Sequence, residues 1–201
     1  MNPSVSVVIC AYTEARWADL GAAVESLRRQ TRAPLEVILV SDHNEALLDR
    51  ARSALGGVIA VENIESRGLS GARNSGVAVA TGAIVAFLDD DAVAEPDWLE
   101  RLAAHYADPN VIGVGGSVEA DWLHGRPRCF PREFDWVVGC SYRGLPEATS
   151  RVRNPIGANM SFRAEVLHRT GGFTSGIGRV GTRPRRLRGD RALHPRRSPA
   201  S

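Results

Sequence analysis

Four short apolar runs, each followed by a polar loop and then a stretch with helical periodicity, constrain this chain more than any other feature. Residues 5–10, 36–40, 58–61 and 84–88 are rich in β-branched side chains and read as strands. Between them, Leu20, Val24 and Leu27 recur at helical spacing, and 44–55, 70–80 and 96–106 read as further helices. Alternation at this interval predicts βαβ units, hence an α/β fold with a mostly parallel sheet flanked by helices and right-handed crossovers. The fourth run, Ile84 to Leu88, is apolar at every position, as a strand covered on both faces must be.

Sheets of this kind bind ligands beyond the carboxyl ends of their strands, so the loops after the strands are the first place to look for chemistry. They supply Ala11, Tyr12 and Glu14 after the first strand, Ser41 and Asp42 after the second, residues 67–74 after the third, and Asp89, Asp90 and Asp91 after the fourth. Three adjacent carboxylates repel one another, and a cation would offset that repulsion. Oxygen donors alone suit Mg²⁺ or Mn²⁺, which one or two carboxylates commonly hold together with substrate phosphates. Each residue also has a purely structural reading. The triple Asp can cap the next helix, Glu14 and Asp42 can cap theirs, and Arg67 or Arg73 can be a solvated charge.

Residues 68–76, GLSGARNSG, combine flexible glycines with a helix start, a combination able to approach a ligand closely and offer amide N–H groups to phosphate. No GxGxxG follows the first strand, which argues against a dinucleotide-binding fold. All 25 basic residues are arginine, which excludes a P-loop lysine, a Schiff-base lysine and the lysine that a phosphoacceptor receiver domain needs. Cys10, Cys129 and Cys140 are odd in number and widely spaced, suggesting neither a disulfide framework nor a zinc site. Cys10 reads as a buried strand residue. With no apolar stretch of membrane-spanning length and no signal-peptide pattern at the start, the expected location is cytoplasmic.

Beyond the helix at 96–106, residues 111–118 read as another strand. The pattern then loses its period over 119–153, a long irregular segment holding Trp122, Trp136 and Tyr142 that suggests a functional loop or lid. A turn at 154–158 leads into a short strand to 163 and a helix at 164–170, closed by Gly171, Gly172 and Phe173.

Taken in order, VSVVICAYTE, EVILVSDHN, RGLSGARNSGVAVATGAIVAFLDDD, NPIGANMSFR and GGF resemble a family 2 glycosyltransferase with the GT-A fold, over about residues 4–182. The resemblance implies inverting transfer of a sugar from a UDP-, GDP- or dTDP-sugar donor to a sugar or lipid-linked acceptor, as in polysaccharide and glycolipid biosynthesis. Ala11, Tyr12 and Glu14 would line the nucleoside pocket, Asp42 would bond the base, and Arg67 would lie near the diphosphate. Asp89 and Asp91 match the DxD motif, the first toward ribose or a metal-bound water and the last on Mg²⁺ or Mn²⁺. The triple Asp leaves that register open by one residue, so Asp90 joins the donor-binding set. Asn159 and Met160 would face the acceptor, and the aromatic insert from Trp122 to Tyr142 would suit sugar stacking.

Two departures from the family pattern stand out. Ser41 replaces the first of two acids usual after the second strand. More consequentially, the acidic motif that supplies the general base after the GGF turn is missing, and the catalytic residue is therefore unknown. Residues 183–201 hold seven Arg against Asp190 alone, giving +6, whereas residues 1–182 balance at −4 with 18 Arg and 22 acids. Such a tail is expected to be disordered and resembles the product of a shifted reading frame, so the chain reads as truncated after about residue 184, with Asp190 poorly placed to act as base. Its arginines suit an anionic membrane surface at the inner face, with no specific nucleic acid as partner. A non-catalytic module that still binds a nucleotide-sugar, or that pairs with another polypeptide, is the competing reading.

Overall fold

The computed structural model describes residues 3–122, 125–146, 148, 150, 152, 154–174, 179–180 and 183–184. Strands β1 (Val5–Ala11), β2 (Glu36–Ser41), β3 (Ile59–Glu62) and β4 (Ile84–Asp89) alternate with helices α1 (Trp17–Arg28), α2 (Glu45–Ala54) and α3 (Leu69–Val79). Helix α4 (Trp98–His105), strands β5 (Gly113–Gly115) and β6 (Asn159–Arg163) and helix α5 (Ala164–Thr170) follow. Two further two-residue strands, β7 (Arg179–Val180) and β8 (Arg183–Pro184), pair with each other.

The six-stranded sheet runs β3-β2-β1-β4-β6-β5. β1, β2, β3 and β4 are parallel, while β6 lies antiparallel to both β4 and β5. The chain thus builds outward from β1 to β3 and then returns to place β4 on the other side of β1. That reversal opens a crevice beyond the carboxyl ends of β1 and β4, the position where such sheets take ligands.

Alternate residues of each strand enter two cores. Val7 and Ile9 of β1 pack with Leu20, Val24 and Leu27 of α1 and with Leu99 and Leu102 of α4, whereas Val8 packs with Ala72 and Val77 of α3 and Leu167 of α5. Burying each such aliphatic side chain stabilises the fold by roughly 1.5–3 kcal/mol. Helix α3 lies close on the sheet because it is built of small residues: a Cβ on Gly76 would stand 2.5 Å from Val8 Cγ1.

Local chemistry sets the helix ends. Asn44, not Asp42, caps α2, its side chain accepting from Leu47 N–H at 3.0 Å. Thr13, not Glu14, caps the short 3-10 turn Glu14–Arg16. Gly171 closes α5 at φ 76°.

At the far end of the sheet from the crevice, the Glu36 carboxylate accepts from Ser6 Oγ at 2.6 Å, Thr81 N–H at 2.7 Å and Thr81 Oγ at 2.9 Å. It joins the starts of β1 and β2 to the turn before β4. Burial alone would raise its pKa, but these donors prevail and lower it. A depressed carboxyl contributes stability that is present above its unfolded value and lost as pH falls through the folded one. Glu36→Gln is therefore expected to destabilise by about 1–2 kcal/mol near neutrality. The deficit should shrink on acidification, as urea melts across the acid range would record.

Two expectations change in the structure. The strand read over 111–118 contracts to Gly113–Gly115: one more bond, Gly116 N–H to Asn159 O, extends the pairing, and the chain then leaves the sheet, Val118 O accepting from Ser141 N–H at 2.8 Å. The irregular segment is partly ordered: it contains a 3-10 helix, Arg132–Val138, held by Arg126 donating to both carboxylate oxygens of Asp135 at 2.7 and 2.8 Å. Those bonds hold the Asp135 carboxyl below the usual carboxylate range.

Candidate active site

The acidic turn after β4 stands beside the loop after β1, since Cys10 pairs with Asp89 in register. The three aspartates have different surroundings. Asp90 is buried at 5% exposure, with Oδ1 accepting from Arg16 Nη1 at 3.0 Å. Its Oδ2 is buried without a hydrogen-bond partner. Asp91 is half-exposed and lies 3.1 Å from the same Arg16 nitrogen, while Asp89, also partly exposed, lies 3.8 Å from Arg73 Nη2. Among the described residues, two cations, Arg16 and Arg73, lie within 4 Å of these three carboxylates.

Burial raises the Asp90 carboxyl from 3.8 to about 6, against the opposing pull of Arg16. A raised carboxyl binds protons more tightly in the folded chain, so its contribution to stability falls as pH rises between 3.8 and about 6. The sign is opposite to that of Glu36.

The donor set fits a divalent cation. Oxygen ligands only, two of the three carboxylates exposed and one buried oxygen unpartnered are what Mg²⁺ or Mn²⁺ would use. Among the described residues no three His, Cys, Asp or Glu side chains converge to hold a metal unaided, so phosphate oxygens would have to complete the shell.

Around this turn, the other residues singled out in the sequence take distinct places. Ala11 is buried in the core at the end of β1. Tyr12 is exposed, with the Arg16 guanidinium 5.8 Å from its ring centroid, and Glu14 lies 3.5 Å from Arg50. Asp42 is buried and anchors the next loop, Oδ1 accepting from Asn63 Nδ2 at 2.6 Å and Oδ2 from Gly68 N–H at 2.9 Å. Gly68 sits at φ 122°, a backbone state that L side chains rarely adopt, and its N–H is already engaged and not offered to phosphate. Arg67 is exposed and donates to His43 O at 3.1 Å. Asn159 uses both ends of its amide, accepting from Trp98 Nε1 at 2.9 Å and donating to Ser117 O at 2.8 Å. Met160 lies in the core opposite Phe87.

Residues not assigned a role in the sequence organise much of this edge. Arg73 is largely enclosed, its side chain 12% exposed, and not solvated: it donates to Gly157 O at 3.1 Å, and its guanidinium stands 5.7 and 5.4 Å from the ring centroids of Phe87 and Phe173. Next to it, Asn74 accepts from Phe173 N–H at 2.8 Å and donates to Phe173 O at 2.9 Å. Asn63, 1% exposed, links Asp42 to Ser75. Burial pushes the Cys10 thiol up to about 12 despite Arg73, although the residue is only partly buried where the sequence predicts a buried strand residue. Beyond β5, a cavity of about 740 Å³ is lined by Ser117, Trp122, Arg126, Arg132, Tyr142 and neighbours.

The sequence model for glycosyl transferase family 2 matches residues 6–171, from the second residue of β1 to just past α5, and takes in the acidic turn. The chain belongs to glycosyl transferase family 2. Among family relatives, it is 43% identical over 181 residues to the glucosyl-dolichyl phosphate glucuronosyltransferase of Haloferax volcanii, covering 88% of this chain and 58% of that protein. The mannosyltransferase PcManGT of Pyrobaculum calidifontis, solved in complex with GDP-Man and Mn²⁺, superposes with a TM-score of 0.63 at 26% identity, over 89% of this chain and 49% of that one. S. aureus TarS 1-349 shares the fold at TM-score 0.59 and 20% identity, over 88% of this chain and 52% of that one. These neighbours make the fold GT-A. This family 2 chain spans about half the length of the proteins it matches.

Proposed function

We propose that this chain is the nucleotide-sugar-binding half of an inverting, metal-dependent glycosyltransferase. The observation that carries the reading is the acidic turn at the sheet's reversal point, where the partnerless Asp90 oxygen lies between the more exposed Asp89 and Asp91. The similar fold of a mannosyltransferase holding GDP-Man and Mn²⁺ supports it. Asp91, with Asp89 beside it, would hold Mg²⁺ or Mn²⁺; when bound, the ion would act as a Lewis acid on the leaving diphosphate. Arg16 would release Asp91 toward the ion while keeping its bond to Asp90. Tyr12 and Glu14 would border the nucleoside, Asp42 would keep its loop in shape and reach the base, and Arg67 at the rim would approach the diphosphate.

The relative from Haloferax volcanii is named for a glucosyl-dolichyl phosphate, and its similarity supports a lipid-linked sugar as acceptor here. Asn159 and Met160 would shape the acceptor side indirectly, Asn159 by fixing Ser117 at the edge of the cavity and Met160 by packing under it.

The second reading is nucleotide-sugar binding without transfer; between Phe173 and Ser201 the one side-chain carboxylate is Asp190, which lies outside the described residues. The expected disorder of residues 183–201 likewise falls largely outside them. Incubating the chain with UDP-, GDP- and dTDP-sugars and Mn²⁺ separates the readings. Release of nucleoside diphosphate above a chelator control supports working chemistry; tight binding with no release supports the module.

A further inference from the structure

One of the two cations at the acidic turn stands where it competes for the turn's carboxylates. Arg16 Nη1 lies 3.0 Å from Asp90 Oδ1 and 3.1 Å from Asp91 Oδ2, so a single nitrogen draws two carboxylates together as a bound cation would. Arg73, 3.8 Å from Asp89, is anchored away from the turn by Gly157 O and the rings of Phe87 and Phe173. Arg16 is tethered differently. Its side chain is 38% exposed, its hydrogen bond is to the turn itself, and its backbone is fixed at the start of α1, where the side chain caps nothing. A change of rotamer therefore releases it without disturbing β1 or α1.

Asp90 has a need that this arrangement leaves unmet. It is 5% exposed, and its Oδ2 is buried without a hydrogen-bond partner, a costly state for a carboxylate oxygen. A guanidinium fork is able to serve both oxygens of one carboxylate. Here one nitrogen of Arg16 is shared between Asp90 and Asp91, and Asp90 Oδ2 goes without. Asp91, half-exposed, loses little by exchanging an arginine for another cation, whereas the enclosed Asp90 depends on Arg16.

We propose that Arg16 is the resident counter-ion of the acidic turn: it occupies Asp91 and yields it only to a competing divalent cation, and its released fork then turns onto Asp90 and supplies the donor that Oδ2 lacks. Arg16 is thus a positioning residue. It keeps adjacent carboxylates in place and sets how tightly the turn takes a cation. The inference rests on the reading of Asp89 and Asp91 as metal ligands and deepens it. Removing Arg16 should weaken the fold and strengthen metal binding, whereas loss of a merely structural residue would weaken both.

Mn²⁺ alone is the probe, titrated into the full chain while the electron paramagnetic resonance signal reports the free ion. Arg16→Gln is expected to bind Mn²⁺ at least about fivefold more tightly than the wild type. That substitution also removes a positive charge and leaves Asp90 buried without its counter-ion, so a second variant separates the causes. Arg16→Gln with Asp90→Asn keeps the net charge of the turn, replaces the buried ion pair by two amides able to hydrogen-bond each other, and leaves Asp89 and Asp91 in place. It too should gain about fivefold, and adding Asp91→Ala should erase the gain. A folded double variant that binds Mn²⁺ no more tightly than the wild type overturns the proposal. If wild-type binding is nonetheless lost on Asp91→Ala, the metal site stands and only the role of Arg16 falls. Absence of Mn²⁺ binding in the wild type and in both variants overturns the metal site and the proposal together.

Discussion

Asp91→Ala is expected to abolish metal-dependent binding of a nucleoside diphosphate while leaving the chain folded. The predicted loss of affinity is at least about 100-fold, since even outer-shell partners of metal ligands are worth ~10–100-fold. Asp91 is half-exposed and shares Arg16 with Asp90, so removing it leaves Arg16 still paired and no charge newly buried. Its effect on stability should stay within about 1 kcal/mol, as for other solvent-exposed ion pairs. Nucleotide titration in Mn²⁺ beside a thermal melt measures both. A large fall in melting temperature would mean that Asp91 supports the turn itself.

The second large effect is on stability. Arg73→Ala is expected to destabilise the chain by about 2–4 kcal/mol, read from the urea midpoint. The substitution leaves Gly157 O without this donor, strips a guanidinium from beside Phe87 and Phe173, and removes a positive charge 3.8 Å from Asp89. Arg73→Lys keeps the charge but not the planar group that lies against both rings, and should recover only part of the loss. A solvated Arg73 would give a change within about 0.5 kcal/mol for either variant. The Cys10 thiol offers an independent readout, because opening this corner should speed its labelling.

Arg73 also marks where the sequence stopped being legible. Arg67 and Arg73 are six positions apart in one glycine-rich stretch, and nothing local distinguishes them. What distinguishes them is distant: Arg73 meets Gly157, 84 residues away, and Asn74 meets Phe173, 99 residues away. Those contacts tie helix α3 to the turn before β6 and to the turn after α5, and explain how motifs so far apart come to share one edge. Asn63 escaped notice for the same reason, since a single Asn in a loop carries no signal until Asp42 and Ser75 close around it.

Other features could be read directly. Apolar β-branched runs located β1 to β4, and helical periodicity located α2, α3 and α4, to within two residues, because buried strands and amphipathic helices leave clear marks. Strand direction leaves none. That β6 runs antiparallel beside β4 follows from the long excursion after β5, which lets the chain re-enter from the opposite end. The triple Asp singles out one turn in the sequence but leaves its members indistinguishable. Burial does that, by enclosing Asp90 and leaving Asp89 and Asp91 toward solvent.

The central claim, a metal-assisted nucleotide site at the acidic turn, is tested most directly by calorimetric titration of the wild-type chain with UDP, GDP and dTDP, each with and without Mn²⁺. The account predicts that one nucleotide binds with Mn²⁺ present and at least about tenfold more weakly without it. A folded chain that binds none of the three, or binds one equally well with and without the metal, would contradict it.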